Sequence, residues 1–460
     1  DRFEITVGNE RSYADPYNDV TLNVTRTAPD GERIDFWGFH DGGSTWKLRF
    51  MPDRFGEWRY EAAFSDGAPG ASGTFRVVES GIPGLIGVDE YNPMWFGYKG
   101  GRHLLIRSFH VGDRFFAANW AGEKRTAFLD WLGAQRYNML SIASHYLNRD
   151  VEGRGRGWDT PKLWPLDAAE YRRMEAILDD LARRKIFVFP FAGFFGKESD
   201  YPRDPAGQER YVRYTLARLA PYWNLLLNVA GPEPNLRDHW MESKDVERLG
   251  RLIKRLDPFG HVVSVHNRTG DDPYIASDWT DFGVTQGPKT VNRSRLALAH
   301  LANHHLAKPL YAQETLWPGN ILHKEPYANV DIRKNAFVML MSAAAINFGD
   351  MNGLSSSGFT GTMDLADRFQ ERHDIIGKVW DFFESVPFWR MTPRPELVDN
   401  GYCLAEVGRR YLVYLESRGT VNVRVAGGPY SVRWINAQDT SDVRSGGSTE
   451  DGRNLASPAD

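Results

Sequence analysis

Leu225-Leu-Leu-Asn-Val-Ala-Gly-Pro-Glu-Pro-Asn235 gives the clearest indication of how this chain of 460 residues folds. A short apolar run is followed by Glu233, which stands between two prolines. Lys308-Pro-Leu-Tyr-Ala-Gln-Glu-Thr-Leu-Trp317 has the same form, with Glu314 after a second apolar run. Short apolar runs bounded by turn residues are typical of buried parallel strands. The two stretches therefore predict a parallel sheet that carries a glutamate at the carboxyl end of each of two strands.

Runs of this kind recur between about residues 92 and 394, where they alternate with amphipathic helical stretches. Eight of them are predicted strands: 104–109, 139–143, 186–191, 225–230, 262–266, 283–285, 310–313 and 344–348. The predicted helices include 168–184, 208–220, 245–256, 293–306 and 379–388. Eight strand–helix alternations over about 300 residues favour an α/β chain with a (β/α)8 TIM barrel over an open doubly wound sheet.

The chain has a different pattern on both sides of this predicted barrel. Thr21-Leu-Asn-Val-Thr25 and Trp46-Lys-Leu-Arg-Phe50 alternate apolar and polar residues, which is typical of antiparallel strands. The alternation returns after the barrel, for example in Arg410-Tyr-Leu-Val-Tyr414. The connector Gly81-Ile-Pro-Gly84 marks the first boundary. The predicted domains are an N-terminal β-sandwich at 1–82, the barrel at 83–394 and a small C-terminal β-sandwich at 395–460.

Composition and charge exclude several classes of function. The 56 basic and 60 acidic side chains leave a formal net charge of -4 and form no basic tract, so we expect no nucleic acid partner. No apolar stretch approaches the roughly 18 residues of a membrane span, so we expect no membrane partner. The single cysteine, Cys403, excludes an intrachain disulfide and a cluster of thiolate metal ligands. No metal-binding or dinucleotide-binding motif is present, so we expect neither a metal nor another cofactor.

Glu233 and Glu314 are the candidate catalytic residues. They are 81 residues apart, which corresponds to three βα units of roughly 27 residues each and places them after strands four and seven. In a barrel, the βα loops meet at the carboxyl ends of the strands, so both carboxylates face one mouth. Such a pair suits cleavage of a glycosidic bond, because one carboxyl group protonates the leaving oxygen while the other attacks or stabilises the anomeric centre. Rim acids that are solvated or paired with arginine are the alternative.

Other polar and aromatic side chains after the predicted strands are candidate substrate-binding groups. They are His110, His145, His266, Asn267, Gln286 and Trp317. Imidazole and amide groups hydrogen-bond sugar hydroxyls, and tryptophan stacks on the apolar faces of pyranose rings. Each of these residues taken alone has a structural role as its alternative. The arginines of the loop after strand two, such as Arg149, either meet an anionic sugar or stay in solvent.

The two glutamates at these strand ends resemble those of the clan A retaining glycoside hydrolases. More narrowly, the chain resembles the apiosidase-like bacterial barrels of that clan, whose N-terminal sandwich has segments similar to Gly38-Phe-His-Asp-Gly-Gly43, Arg49-Phe-Met-Pro52 and Gly56-Glu-Trp58. Those proteins also carry, after the barrel, a small sandwich once labelled collagen-binding. The resemblance covers nearly the whole chain. It implies that Glu233 is the acid/base and Glu314 is the nucleophile.

Pro232 departs from the pattern of that clan. Members commonly have an asparagine immediately before the acid/base glutamate, where it holds the sugar 2-hydroxyl. In this chain the contact has to come from another residue or is missing. Asn228 and Asn235 are near in the sequence, although a side chain within strand four can point into the barrel.

The leading hypothesis is a retaining glycoside hydrolase that cleaves a plant or algal poly- or oligosaccharide by a double displacement on two glutamates. By the resemblance, we expect an extracellular or periplasmic bacterial protein, whose signal peptide is not present in this sequence. The alternative is a catalytically silent carbohydrate-binding protein on the same barrel, which Pro232 favours and the two intact glutamates oppose. The sequence leaves the sugar, the linkage and the oligomeric state open.

Overall fold

The computed structural model describes residues 2–111, 113–142, 159–190, 201–231, 233–234, 241–267, 272–318, 327–350, 365 and 369–458. These residues form a mixed α/β structure with a six-stranded parallel sheet and several smaller sheets. The predicted site residue His145 lies outside the described residues, and so do Pro232 and Asn235. Among the described helices, none is both long and apolar enough to cross a membrane.

The N-terminal region forms antiparallel strands. They are β1 Phe3–Gly8, β2 Leu22–Thr27, β3 Arg33–Trp37, β4 Phe39–His40, β5 Thr45–Phe50, β6 Gly56–Phe64 and β7 Ala71–Val77, followed by the hairpin β8 Ile86–Val88 and β9 Phe96–Tyr98. One sheet has the order β1-β5-β4 and another the order β3-β2-β6-β7. On β2, Leu22 and Val24 are buried and Asn23 is exposed, so the two-residue period of the sequence reflects which side chains face the core.

The central region alternates parallel strands with helices. The strands are β10 Arg107–Val111, β11 Met139–Ile142, β12 Phe187–Pro190, β13 Leu227–Asn228, β14 Val263–Ser264, β15 Gly283–Thr285, β16 Leu310–Leu316 and β17 Ala344–Phe348. The helices are α1 Gly122–Ala134, α2 Ala168–Arg183, α3 Pro205–Leu219, α4 Ser243–Leu256, α5 Arg293–Leu301, α6 Asn329–Met341 and α7 Gln370–Ser385. Six strands form one curled parallel sheet in the order β12-β11-β10-β17-β16-β15, and β13 pairs in parallel with β14.

Backbone hydrogen bonds continue the parallel arrangement beyond the six-stranded sheet. The amide of Leu226, next to β13, donates to the carbonyl of Val188 on β12 at 3.0 Å. The amide of Asp281, shortly before β15, donates to the carbonyl of Val263 on β14 at 2.8 Å. Each of the eight strands predicted from apolar runs overlaps one of the observed parallel strands.

Two predicted helix boundaries were wrong. Helix α5 ends at Leu301, because the chain tightens into a 3-10 turn at His304–Leu306 before the left-handed residue Ala307. Helix α7 begins at Gln370, well before the apolar stretch that predicted it. Its polar first turns are held by Asp350, which accepts hydrogen bonds from Arg372 and His373. Tertiary bonding rather than amphipathic periodicity therefore sets the start of α7.

The C-terminal region again forms antiparallel strands. They are β18 Thr392–Pro393, β19 Tyr402–Glu406, β20 Arg410–Tyr414, β21 Thr420–Val421, β22 Tyr430–Asn436, β23 Asp439–Thr449 and β24 Leu455–Ala456. Strands β18, β19 and β20 form one sheet, β22 pairs with β23, and β21 pairs with β24. The long strand β23 lies in a polar segment rich in glycine and serine, where no alternation of apolar residues indicates a strand.

A buried group of charged residues joins the N-terminal strands to the central helices. This interface cluster consists of Asp41, Arg49, Glu175 and Arg218. Arg49 on β5 and Arg218 on α3 donate hydrogen bonds to both carboxylate oxygens of Glu175 on α2, at 2.6 to 3.1 Å. Arg218 also donates to Asp41 at 2.8 Å. Burial alone raises the pKa of Glu175, but the hydrogen bonds from Arg218 and the charge of Arg49 hold it below its usual value.

Candidate active site

Glu314 lies near the carboxyl end of β16, where that strand is irregular. The pairing of β16 with β17 shifts register between Ala312 and Leu316. A bulge bends a strand and re-aims its side chains, and bulges are common beside active sites. The adjacent side chains of Gln313 and Glu314 are both fully buried, with polar partners on different strands. The side chain of Glu314 therefore reaches Gln286 at the end of β15, whereas that of the neighbouring Gln313 bonds Ser141 on β11.

The two carboxylate oxygens of Glu314 have unequal surroundings. Oε2 accepts a hydrogen bond from Nε2 of Gln286 at 2.6 Å and lies 3.4 Å from Nζ of Lys289. Oε1 lies 3.7 Å from Nε2 of His266 and has no hydrogen-bond partner among the residues that the structure describes. An ionised carboxylate has about four lone-pair sites for hydrogen bonds. One oxygen of Glu314 is therefore held, and the other is available.

Lys289 is a site residue that the sequence analysis missed. It follows β15 in the segment Gln286-Gly-Pro-Lys289, and its side chain is only 14% exposed. Its ammonium group lies 5.4 Å from the centre of the Trp317 ring, in addition to its contact with Glu314. In the sequence, only its position three residues after the predicted Gln286 indicated that Lys289 belongs to the site. A single lysine in a polar loop is too common for that position to predict a site residue.

Glu233 follows β13 in an unusual backbone conformation. Its φ angle is 51°, and Ala230 has a φ of 53°, so both adopt the left-handed region that favours glycine. Such a conformation costs about 1 to 3 kcal/mol and tends to occur at functional sites. The amide of Glu233 donates to the carbonyl of His266 at 2.8 Å, which fixes the turn against the end of β14. The side chain is half-buried and reaches Gln286, whose Nε2 donates to Oε1 at 3.2 Å.

The two candidate catalytic carboxylates are therefore close together. Nε2 of Gln286 bonds Oε1 of Glu233 at 3.2 Å and Oε2 of Glu314 at 2.6 Å. Because both bonds start at one nitrogen, these two oxygens are separated by at most the sum of 3.2 and 2.6 Å, which is 5.8 Å. Residues that are 81 positions apart in the sequence thus form one acidic pair, with the neutral amide of Gln286 between them.

His266 is, besides Gln286, the predicted substrate-binding residue that lies against this pair, with Nε2 3.7 Å from Oε1 of Glu314. Its ring is fully buried, and burial lowers its pKa to about 4 despite the charge of Glu233, which acts to raise it. The charge of Lys289 contributes to the lowering. The imidazole is therefore neutral near pH 7, and one ring nitrogen carries a proton while the other accepts. The charges in this part of the site come from the two glutamates and Lys289.

Two further predicted residues, His110 and Trp317, form a buried aromatic pair next to Lys289. Their ring centres are 4.4 Å apart, and both side chains are fully buried. Trp317 also packs against Gly349, where a Cβ atom would lie 2.4 Å from Cδ1 of the indole. Because this position has no room for a side chain, Gly349 allows the ring of Trp317 to pack closely, next to Lys289.

Asn267 and Asn228 differ in how their amides are used. Asn267 follows His266 and is 3% exposed, and its Nδ2 has no hydrogen-bond partner within the described ranges. The side chain of Asn228 on β13 instead bonds the backbone. Its Nδ2 donates to the carbonyl of Pro190 at 3.2 Å, and its Oδ1 accepts from the backbone amide of His266 at 2.9 Å. Asn228 therefore supports the strand ends, and Asn267 is the better placed donor for a ligand.

A polar layer lies beside Glu314 within the parallel strands, and the sequence analysis did not anticipate it. Gln313 on β16 donates to Ser141 on β11 at 2.8 Å. Ser108 on β10 bonds the Tyr311 hydroxyl at 2.7 Å and donates to Asn347 on β17 at 2.9 Å. Burial raises the pKa of Tyr311 well above its usual value, so its hydroxyl stays protonated. The layer ties four strands together directly behind the acidic pair.

The site has no arrangement typical of a metal centre in the part of the chain that the structure describes. Within those ranges, no group of three or more His, Cys, Asp or Glu side chains is placed to hold a metal ion. The reactive groups that the site presents are the two carboxyl groups, with the amide of Gln286 and the ammonium of Lys289 beside them.

Comparison with known proteins finds a family match at the N-terminus and solved structures of similar fold. A family model described as "Domain of unknown function (DUF5060)" matches residues 1–65, and no curated protein matches the chain. A candidate glycoside hydrolase from Bacteroides vulgatus ATCC 8482 has a TM-score of 0.69 at 18% identity, covering 95% of this chain and 83% of that one. A family 5 glycoside hydrolase from the same organism has a TM-score of 0.61 at 15% identity, covering 83% of this chain and 92% of that one.

These similarities concern the fold. A third solved structure, named only as a glycoside hydrolase, has a TM-score of 0.58 at 13% identity and covers 83% of this chain and 96% of that one. All three cover most of both chains, so the overall fold is shared with solved glycoside hydrolases. The catalytic roles in this chain have to be argued from its own residues.

Proposed function

We propose that this chain is a retaining glycoside hydrolase with Glu233 as acid/base and Glu314 as nucleophile. The observation that carries the proposal is the acidic pair itself, in which two glutamates from separate strand ends come within 5.8 Å of each other, the sum of two bonds of 3.2 and 2.6 Å to Gln286. Two carboxyl groups close together are the arrangement in which one acts as the acid and the other as the nucleophile of glycosidic cleavage.

The surroundings of the two glutamates support different roles. Glu314 is fully buried beside the cation of Lys289, with one oxygen held by Gln286 and the other without a hydrogen-bond partner among the described residues, as suits a nucleophile. Glu233 is half-buried and has Gln286 as its hydrogen-bond donor among the described side chains. The more open carboxyl group is the one suited to exchange a proton with a leaving oxygen and later with a water.

The separation of the pair supports retention of configuration. In retaining glycosidases the carboxyl groups are about 5 to 5.5 Å apart, and in inverting enzymes they are about 6.5 to 9.5 Å apart to leave room for a water. The limit of 5.8 Å between the two bonded oxygens, from bonds of 3.2 and 2.6 Å, favours the shorter class. The nucleophile then forms a covalent glycosyl intermediate, which water hydrolyses with Glu233 acting as base.

The proposal places this site on a closed (β/α)8 barrel between two β-sandwich domains. The backbone bonds from Leu226 to Val188 and from Asp281 to Val263 support it, because they link β12 to β13 and β14 to β15. With these links, every parallel strand has a neighbour on each side. Such a barrel brings functional side chains together at the carboxyl ends of its strands, which is where Glu233 and Glu314 lie.

The substrate is proposed to be a plant or algal poly- or oligosaccharide, cleaved outside the cytoplasm of a bacterium in the periplasm or extracellular space. His266 lies beside Glu314, and the aromatic pair of His110 and Trp317 lies next to Lys289. The Nδ2 of Asn267, which has no partner among the described residues, is the candidate donor to a sugar hydroxyl. In this proposal Asn267 takes over the contact that Pro232 in this sequence cannot make. His145 stays a proposed binding residue on sequence grounds alone.

The experiment that tests this function is incubation of the protein with a panel of plant and algal polysaccharides, followed by a reducing-end assay. The proposal predicts new reducing ends with at least one polysaccharide and none with the Glu314→Gln variant. Proton NMR of the first-formed product is expected to show the anomeric configuration of the substrate. An inverted first product would exclude the retaining mechanism.

The alternative is a catalytically silent carbohydrate-binding protein on the same scaffold. It predicts that a polysaccharide of the panel retards the protein in affinity electrophoresis while no reducing ends form. The same retardation should then survive in Glu314→Gln. Binding without product over the whole panel would favour this alternative over the glycosidase.

A further inference from the structure

We infer that Gln286 is a positioning residue, which ties the two glutamates together and leaves Oε1 of Glu314 as the atom that attacks the sugar. The inference rests on the proposed function and gives Gln286 a role other than the predicted contact with substrate. Its amide nitrogen carries two hydrogens, and it has one carboxylate on either side, at 3.2 Å and 2.6 Å. One donor group is therefore shared between the acid and the nucleophile.

The position of Gln286 is fixed by its surroundings. The residue is 7% exposed, and it follows β15 directly. The next amide, that of Gly287, donates to the backbone carbonyl of Glu314 at 3.2 Å. The main chain around Gln286 is thus bonded to the main chain of the nucleophile, and the side chain returns to the carboxylate of the same residue. Such a double attachment fixes the direction of the Glu314 carboxylate.

The attachment distinguishes the two oxygens of the nucleophile. Oε2 accepts from Gln286 and faces Lys289, whereas Oε1 has no hydrogen-bond partner among the described residues. In the first step a lone pair of Oε1 forms the bond to the anomeric carbon. The glycosidic bond breaks, and its oxygen takes the proton of Glu233. In the second step water attacks the same carbon and gives one of its protons to Glu233. The ester bond breaks, and its electron pair returns to Oε1 of Glu314.

Gln286 keeps a function in both steps. Oε2 becomes the carbonyl oxygen of the glycosyl ester, and an amide N–H donates to a carbonyl oxygen as it does to a carboxylate. Before the reaction, its two hydrogen bonds hold both carboxyl groups in place. Lys289 contacts only Glu314 of the two, at 3.4 Å from Oε2. Loss of Gln286 should therefore affect both carboxyl groups, and loss of Lys289 only one.

The test is how the effect of each variant divides between kcat and KM on a substrate identified in the polysaccharide panel. In Gln286→Leu, kcat/KM should fall by on the order of 100-fold through kcat, with KM nearly unchanged, because both carboxyl groups lose their orientation and no substrate contact is lost. In Lys289→Met, kcat should fall by less, because only Glu314 loses a contact.

The matched control is Gln208→Leu, which removes another buried glutamine, one that bonds Pro202 and Arg248 away from the site. It should leave kcat and KM unchanged. If Gln286→Leu fails to fold, Gln286→Glu keeps the shape, replaces the donor with a carboxyl group, and should also lower kcat. A raised KM with unchanged kcat in the Gln286 variant would overturn the inference and return Gln286 to substrate binding. Absence of turnover by the wild-type protein would instead remove the proposed function.

Discussion

Glu175 and Glu314 are both buried glutamates beside cations, and they differ in how completely their carboxylates are bonded. Glu175 receives hydrogen bonds from Arg49 and Arg218 on both of its oxygens. Glu314 accepts one short bond from a neutral amide, has Lys289 at 3.4 Å, and has no hydrogen bond to Oε1 in the described part of the chain. Burial and charge are thus similar at the two sites, while the available lone pairs differ.

In the proposed mechanism, this difference distinguishes a structural glutamate from the nucleophile. A carboxylate that is saturated by guanidinium donors has no lone pair left for a new partner, so it contributes to the stability of the interface cluster. A carboxylate that is held by one oxygen keeps its direction and leaves the other oxygen for chemistry. The sequence analysis kept an acid paired with arginine as the alternative for Glu314; the structure shows that pairing at Glu175 on α2, and no arginine hydrogen-bonds Glu314 among the described residues.

The largest effect is expected for Glu314→Gln. The amide keeps the shape of the side chain but removes the nucleophilic oxygen, so turnover should fall by on the order of 10⁴-fold or more. The melting temperature should stay close to that of the wild type, since only one hydrogen bond and one lysine contact change. Near wild-type turnover in this variant would break the comparison, because Glu314 would then be as structural as Glu175.

Glu175→Gln should have the opposite signature. Removing one charge of a buried ion cluster destabilises a protein by about 3 to 5 kcal/mol, because the partner charges stay buried without compensation. Denaturant unfolding should show this loss, while turnover per folded molecule at moderate temperature should stay near that of the wild type. A loss of turnover without a loss of stability would show that the interface cluster communicates with the site.

Glu233→Gln tests the other member of the acidic pair. General acid catalysis contributes about 100- to 10,000-fold, and it matters most when the leaving group is a poor one. Turnover of the polysaccharide should therefore fall within that range, while turnover of an activated aryl glycoside of the same sugar should fall by about tenfold or less. Equal losses on both substrates would argue against an acid role.

The smallest effect concerns two buried histidines, one at the site and one remote from it. Burial lowers the pKa of His266 and of His300 to about 4. In the unfolded chain each titrates near 6.5, so between pH 6.5 and 4 the unfolded state binds more protons and stability falls as the pH falls. Each histidine should lower the unfolding free energy by about 1.5 kcal/mol between pH 6.5 and 5.

His300→Leu isolates one of these contributions. His300 lies on α5, where its Nδ1 bonds the carbonyl of Leu296, and it has no contact with the acidic pair. Urea titrations of wild type and variant at pH 6.5 and 5 measure the difference. The unfolding free energy of the variant should lack the contribution of His300 to its pH dependence. An unchanged pH dependence would mean that His300 is protonated in the folded state as it is in the unfolded chain.

The strands and the two glutamates were predictable because they depend on local patterns. Apolar runs indicate buried parallel strands whatever their partners are, and a barrel brings the carboxyl ends of its strands together. The predictions for Glu233, Glu314, His266 and Gln286 therefore placed side chains that the structure brings into contact. The role of Gln286 between the glutamates was not predictable, since it depends on two distances across the sheet.

Other features depend on contacts between distant parts of the chain. Lys289 lies in a loop, and the polar layer of Ser108, Ser141 and Gln313 lies inside strands that the sequence treats as apolar. Asp41 and Arg49 belong to segments that supported a family resemblance, yet their partners Glu175 and Arg218 are more than a hundred residues away. No periodicity or spacing rule reports such pairings, so the interface cluster was found only in three dimensions.

The most direct test of Glu314 as the reactive glutamate is covalent trapping of the nucleophile. A 2-deoxy-2-fluoro glycoside of the sugar identified in the panel, with an activated leaving group, slows the second step and lets the intermediate accumulate. Mass spectrometry of a proteolytic digest should then find one fluoro-sugar on the peptide that contains Glu314, and none on the peptide that contains Glu233. An adduct on Glu233 would contradict the assignment of Glu314 as the nucleophile. So would an active enzyme that the reagent inactivates neither as wild type nor as Glu233→Gln.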